Sequence, residues 1–251
     1  MRKRMNAGYR PFILKVDSTK AGVSGSNQFN IITNLTAGYN YRIETDEGFS
    51  IGNLTGNYTI TFTTSGVHTI KFYAESGFEN VAGFGLRYAN GDDKLKCLEI
   101  TKWGDLLWRT NPQQAFYGCN NLSSISNDVH DGNIDAITDG YRFLRQCNLT
   151  SIPMSMTLEN LQNGEEMFRQ NSITDIGGLK LHSLTNGTTM FQGGGAINPA
   201  QLSALYIDMD TNNPNSGVVF NANNSFYDSS GVAARASLIG KGWIITDKGL
   251  I

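Results

Sequence analysis

The sequence contains no apolar run that approaches the roughly 18 residues a membrane-spanning helix needs, and its apolar patch at residues 12–14 is too short for a signal-peptide core. Charge is also scarce, since only 17% of the 251 residues are Asp, Glu, Lys or Arg, and the formal net charge is −2. Proteins that bind nucleic acid usually carry a strongly basic surface. We therefore expect no membrane span, no export signal and no nucleic-acid partner.

Cysteine is too sparse for a disulfide framework. The chain holds three cysteines, an odd number, which cannot all pair with one another. Two of them, Cys119 and Cys147, recur at one position of the repeat described below. We expect buried thiols that behave as small apolar side chains, with a metal or redox role as the alternative.

Groups that would converge in an active site are also missing. The three histidines are scattered: His68 lies in a predicted strand, His130 in a loop and His182 beside an apolar residue, and none shows metal-ligand spacing. There is no G-x-S-x-G elbow and no Walker or dinucleotide glycine motif. We predict no catalytic residues, no cofactor and no enzymatic activity.

Two acidic segments, at residues 131–135 and 208–212, imitate the first half of a calcium-binding loop. Such a loop needs Gly at its sixth position and Glu at its twelfth. The sixth residues here are Ala136 and Asn213, and neither twelfth residue is glutamate. We interpret both segments as solvated loop carboxylates and predict no metal site, although binding of calcium by the loop carboxylates stays open.

What the second half of the chain does contain is a repeated phrase. It reads ITDGYRFLRQCNLTSI from residue 137, LQNGEEMFRQNSITDI from residue 161 and LTNGTTMF from residue 184. Gly140, Gly164 and Gly187 are 24 and 23 residues apart, which lies within the leucine-rich-repeat range. An earlier copy, AFYGCNNLSSI over residues 115–125, aligns Phe116 with Leu144.

These copies predict at least four coils of a solenoid. Each unit is too small to bury its own apolar side, so its large side chains must stack on the next coil. The predicted stacking residues are Phe143, Leu144, Met167, Phe168, Met190 and Phe191.

The phrases MFRQNSITDI and FYGCNNLSSI resemble the coils of BspA-like leucine-rich-repeat proteins, which favour M-F-x-G-C-x-x-L-x-x-I. The resemblance covers roughly residues 95–251. In similar chains a strand with Trp-Gly, here LKCLEITKWGD, opens the stack, so Trp103 and Trp108 are expected in its first cap. A helix and strand, here VAARASLIGKGWIIT, close it. The resemblance implies a binding scaffold, since members are mostly bacterial surface proteins and adhesins with many relatives in phages.

Residues 11 to about 88 alternate apolar and polar side chains between turn clusters, which predicts a small antiparallel sandwich. The segment NYTITFTTSGVHTIKFYA over residues 57–74 resembles the closing hairpin of PKD-like immunoglobulin-type domains, which are usually spacers or docking modules. A polar run at residues 89–93 then marks the predicted boundary between two separate cores. After the repeats, Asn198-Pro199 predicts the start of a short helix through Leu205.

The predicted fold is therefore mainly β with short helices. It comprises an N-terminal arm at residues 1–9, an immunoglobulin-like (PKD-like) β-sandwich at 10–92, and a BspA-like leucine-rich-repeat solenoid with a C-terminal helix-strand cap at 93–251. The first ten residues carry four basic side chains and no acid. We expect them to dock onto another chain, with a frayed terminus as the alternative. The predicted docking residues are Arg2, Lys3, Arg4 and Arg10.

These features together predict a non-enzymatic structural and recognition protein of a bacteriophage virion, such as a tail, spike or head-surface component. The sandwich would dock and the repeats would be exposed for binding. The alternative is a bacterial cell-surface adhesin of the BspA-like class. Expected partners are other virion proteins or copies of the chain itself, with a host surface protein or glycan as a candidate ligand. The residues that would hold this ligand cannot be read from the coil pattern.

Overall fold

Strands make up most of the regular structure of the computed structural model, which describes residues 10–34, 39–75, 84–88, 92–128, 134 and 136–251. The prediction of a mainly β chain is confirmed. The strands in these ranges are β1 (Phe12–Asp17), β2 (Gln28–Ile31), β3 (Tyr41–Thr45), β4 (Ser50–Leu54), β5 (Tyr58–Thr61), β6 (Val67–Ala74), β7 (Cys97–Lys102), β8 (Ser124–Ile125), β9 (Asn186–Gly187), β10 (Val219–Asn221) and β11 (Ile244–Thr246). The α-helices in these ranges are α1 (Pro199–Asn212) and α2 (Val232–Gly240).

The N-terminal strands follow the predicted alternation. In β1 the side chains of Phe12, Leu14 and Val16 are buried, while the residues between them are half-buried. Successive side chains of a strand point to opposite faces, so this spacing places one face of β1 on the core. The strand pairs antiparallel with β6, with Phe12 opposite Phe72. A second, two-stranded sheet contains β2 and β5.

The larger sheet continues across the predicted domain boundary. Its order is β4-β3-β6-β1-β7-β8, so β1 lies between β6 and β7. The ring of Phe12 packs on Phe72 at a centroid distance of 5.4 Å, on Trp103 at 5.9 Å and on Trp108 at 5.2 Å. Both tryptophans are buried, and their place in the first cap of a repeat stack stays a prediction. The expectation of two separate cores is wrong, because the residues on both sides of the boundary share one sheet and one core.

Within the polar run at residues 89–93, the structure describes residues 92 and 93, and Asp93 lies in a buried junction. Asp93 and Lys96 are fully buried, and their charged groups are 3.8 Å apart. The Asp93 carboxylate accepts hydrogen bonds from the loop before β2 and from Asn30 of β2. The Lys96 ammonium donates to the Gly25 and Gln28 carbonyls, both at 2.9 Å. The sequence predicts a solvated linker at this aspartate. In the structure Lys96 balances its charge, and backbone N–H groups inside the protein bond to its oxygens.

Successive copies of the repeat lie side by side and are joined by backbone hydrogen bonds. The Leu144 N–H donates to the Met167 carbonyl at 3.0 Å, and one copy later the Phe168 N–H donates to the Met190 carbonyl at 3.0 Å. The Phe116 N–H donates to the Phe143 carbonyl at 2.9 Å. This register confirms the alignment of Phe116 with Leu144. The six predicted stacking residues are all buried.

In each copy the backbone adopts the left-handed conformation at two positions that are four residues apart. In the first of these positions φ is 57° at Arg142, 56° at Glu166 and 54° at Thr189. In the second it is 56° at Gln146 and 61° at Gln170. Residues other than glycine rarely adopt this conformation. Its recurrence at the repeat spacing means that the same side-chain positions point to the same surface in every copy.

The C-terminal part begins as predicted and then differs in length. The Asn198 side chain accepts a hydrogen bond from the Ala200 N–H at 3.0 Å and caps α1, whose first residue is a proline. The helix extends beyond the predicted Leu205 to Asn212, because the later residue Met209 also packs into the core. Segment 208–212 is therefore the last turn of a helix and not a loop. The predicted helix and strand that follow are α2 and β11.

Across the described ranges, none of the helices has the length and apolar character required to cross a bilayer.

Candidate functional site

Of the predicted docking residues, Arg2, Lys3 and Arg4 lie outside the described residues, and Arg10 lies within them. The Arg10 guanidinium donates to Asp105 Oδ1, at 2.5 Å from one terminal nitrogen and at 3.0 Å from Nε. The Arg10 backbone N–H donates to Asp105 Oδ2 at 2.9 Å. Arg10 thus connects the start of β1 to the loop after β7 within one chain. Its role in docking stays a prediction.

The three cysteines are free and buried, which confirms the prediction of buried thiols. Burial raises the pKa of each thiol above its ordinary value. A thiol whose pKa is raised is largely protonated near neutral pH and is therefore a weak nucleophile. Cys147 donates to the Phe116 carbonyl at 3.3 Å, which links two adjacent copies of the repeat.

The described histidines lie in different places. His68 is buried and stacks on the Phe62 ring at a centroid distance of 3.8 Å. His182 lies 3.0 Å from Asp208 at the end of α1. His130 and most of segment 131–135 lie outside the described residues. Among the residues that the structure describes, no group of three or more His, Cys, Asp or Glu side chains could hold a metal ion.

The surface formed by the repeat turns carries a group of charged and aromatic side chains that we call the arginine–tyrosine cluster. It consists of Lys94, Tyr117, Arg142, Arg145, Glu166 and Arg169. Arg145 and Arg169 occupy the same position in adjacent copies, and Tyr117 occupies that position in the preceding copy. The fold therefore brings the six side chains together, although Lys94 and Arg169 are 75 residues apart in sequence (169 − 94).

Glu166 is the acidic centre of the cluster and is only 6% exposed. Arg145 donates to its Oε2 at 2.5 Å, and Arg142 and Arg169 also bind the carboxylate. Burial by itself would raise the pKa of Glu166. The hydrogen bonds from Arg142 and Arg169 and the charge of Arg145 outweigh burial and hold that pKa below its usual value.

Tyr117 lies beneath three of the cationic side chains. The guanidinium carbons of Arg145 and Arg142 are 5.1 and 5.9 Å from the centre of its ring, and the Lys94 ammonium is 5.8 Å away. Arg142 also lies 4.6 Å from the centre of the Tyr141 ring. The negative face of an aromatic ring attracts cations at such distances. The ring faces therefore help to hold like charges close together.

The cluster has more positive than negative charge. Lys94 and three arginines contribute four positive charges, and Glu166 contributes one negative charge, which leaves a surplus of three. The Nε atoms of Arg145 and Arg169 are buried and have no hydrogen-bond partner. A structural ion-pair network would be stabilised by balanced charges and satisfied donors. The arrangement is therefore suited to receive a further anionic group.

Comparisons of the chain with protein-family models, with curated proteins and with solved structures find no match. Sequence reasoning did not single out the arginine–tyrosine cluster. Aligning the copies would have placed Tyr117, Arg145 and Arg169 in one column, which is the signal that could have indicated it. The central role of Glu166 has no such signal, because its position holds arginine in one neighbouring copy and threonine in the other.

Proposed function

We propose that the chain is a non-enzymatic structural and recognition protein of a bacteriophage virion. In this proposal the immunoglobulin-like sandwich docks the protein, and the BspA-like leucine-rich-repeat coils face outward and bind a ligand. The resemblance of the coil phrases to BspA-like proteins supports the type of repeat. The ladder of hydrogen bonds between adjacent copies is compatible with stacked coils.

The observation that carries the recognition role is the arginine–tyrosine cluster. Its side chains come from consecutive copies and project from their turns, where variation of a side chain leaves the stacked core intact. Its three arginine side chains are 12% to 29% exposed, so a ligand can reach them. A surface of this kind binds through charge and aromatic contacts and needs no catalytic group.

The docking role of the N-terminal part is supported by the charge of the first ten residues and by Arg10. The bonds between Arg10 and Asp105 attach the segment before β1 to the main sheet. Arg10, the residue that follows the predicted arm in the sequence, is therefore held in place. An ordered arm would need contacts with another chain, because fixing a residue's backbone costs about 1–2 kcal/mol.

Location distinguishes this proposal from its alternative. Quantitative mass spectrometry should find the chain in purified phage particles at a constant ratio to the major coat protein, after salt washing removes loosely bound proteins. A matched preparation of host envelope should contain only traces. Enrichment in the envelope, with none in particles, would refute the phage proposal and favour the bacterial adhesin.

A further inference from the structure

We infer that the arginine–tyrosine cluster is a binding site for an acidic polysaccharide, whose carboxylate groups are taken by Arg142, Arg145 and Arg169. This inference rests on the proposed recognition function and specifies the chemical class of its ligand. The first argument is charge. Three cationic side chains, Arg142, Arg145 and Arg169, meet on two adjacent turns around the single buried carboxylate of Glu166, whereas the whole chain has a net charge of −2.

The second argument is the supply of donors. A guanidinium group has five N–H donors in a planar fork that matches a carboxylate. Glu166 accepts from one nitrogen each of Arg142, Arg145 and Arg169. It also fixes the three forks relative to one another, because its two oxygens are shared among them. Donors of the same groups therefore remain for a second carboxylate next to Glu166.

The third argument selects a polysaccharide over a nucleic acid. Uncharged amides flank the cluster. Gln146 and Gln170 directly follow Arg145 and Arg169 in sequence, and Gln192 occupies the position of these arginines in the next copy of the repeat. Amides can bond to sugar hydroxyls as donor and as acceptor. The same two copies also carry the carboxylates of Asp139 and Glu165, which accept hydrogen bonds from the side chains of Asn163 and Asn186. A continuous phosphate backbone would meet these carboxylates, whereas a glycan with spaced acids need not.

The test uses the purified protein and a fluorescent hyaluronan oligosaccharide, which carries a carboxylate on every second sugar, with binding followed by anisotropy at low and physiological salt. The same oligosaccharide with its carboxylates methyl-esterified is the ligand control. We expect the esterified form to bind at least about tenfold more weakly, because each charge-assisted hydrogen bond contributes substantially. Raising the salt should weaken binding of the acidic form, because the attraction is between exposed charges.

The protein variants are Arg145→Gln with Arg169→Gln, and separately Arg169→Lys. The double variant should bind the acidic form at least about tenfold more weakly. Arg169→Lys keeps the charge and loses the fork, so its affinity should fall between those of the wild type and the double variant. Lys248→Gln removes one exposed positive charge at the C-terminal end and should leave affinity within about twofold. Circular dichroism melting shows which variants are folded.

Three results would overturn the inference. The first is equal binding of the acidic and esterified forms. The second is an equal loss of affinity in Lys248→Gln and in folded Arg169→Lys. The third is tighter binding of a single-stranded oligodeoxynucleotide of equal charge, which would assign the site to nucleic acid. Failure here together with recovery of the chain in phage particles would refute the ligand class and leave the proposed function standing.

Discussion

Asp93 is the side chain whose removal should damage the protein most, because the junction between the two parts of the chain depends on it. Its carboxylate accepts hydrogen bonds from the backbone N–H groups of Val23, Ser24 and Asn30 at 2.9, 3.1 and 2.7 Å. Lys96 lies 3.8 Å away and is also fully buried. Asp93→Ala leaves three backbone donors and one buried ammonium without this acceptor.

The expected loss of stability follows from these contacts. Removing one partner of a buried ion pair costs about 3–5 kcal/mol, and each buried donor left unsatisfied costs about 1–3 kcal/mol. The terms overlap, so we expect a loss of about 4 kcal/mol from a total stability of about 5–15 kcal/mol. Burial lowers the pKa of Lys96. The variant should therefore regain stability as the pH rises and Lys96 loses its proton in the folded state.

Urea unfolding followed by circular dichroism measures this loss. The matched control is Asp92→Ala, since Asp92 is the adjacent residue of the same type and is only half-buried. It should change the free energy of unfolding by no more than about 0.5 kcal/mol. Combining Asp93→Ala with Lys96→Met should recover part of the loss, because no unpaired charge is then buried. If Asp93→Ala costs no more than the control, solvent reaches Asp93 and the polar run is a linker.

Phe168→Ala should lower the free energy of unfolding by about 3–5 kcal/mol, because its buried ring stacks on Phe191 at 5.5 Å. Thermal melting with the more exposed Phe49→Ala as control checks this, and an unchanged melting temperature would place the ring outside the core. Glu166→Gln should flatten the acid side of the melting temperature plotted against pH. The folded-state pKa of Glu166 lies below its ordinary 4.5, so its stabilisation is present above that value and lost as pH falls through the folded pKa. A slope equal to that of the wild type would contradict this account. Deleting residues 1–9 should leave the melting temperature nearly unchanged and prevent incorporation into the particle, as measured by mass spectrometry. A truncated chain that assembles normally, or that unfolds, would rule out the docking arm.

Local periodicity in the sequence was enough to predict most elements of the fold. The alternation of Phe12, Leu14 and Val16 predicted a strand with one buried face, because a strand has a period of two residues. The repeat spacing predicted which residues lie in adjacent copies, and the hydrogen bond from Phe116 to Phe143 agrees with that alignment. Asn198-Pro199 predicted where α1 begins, because its capping side chain and proline act within one turn.

The tertiary structure alone decided which distant residues meet. β1 pairs with β7 across the predicted boundary, and the buried Asp93 carboxylate there accepts from backbone N–H groups of β2 and of the loop before it. Neither fact can be predicted from the local sequence, since a polar run has the same composition whether its hydrogen-bond partners are water or buried backbone groups. Glu166 likewise gains three arginines only when copies of the repeat stack. Residue type and spacing determine local conformation, whereas burial and charge balance depend on contacts between segments far apart in the chain.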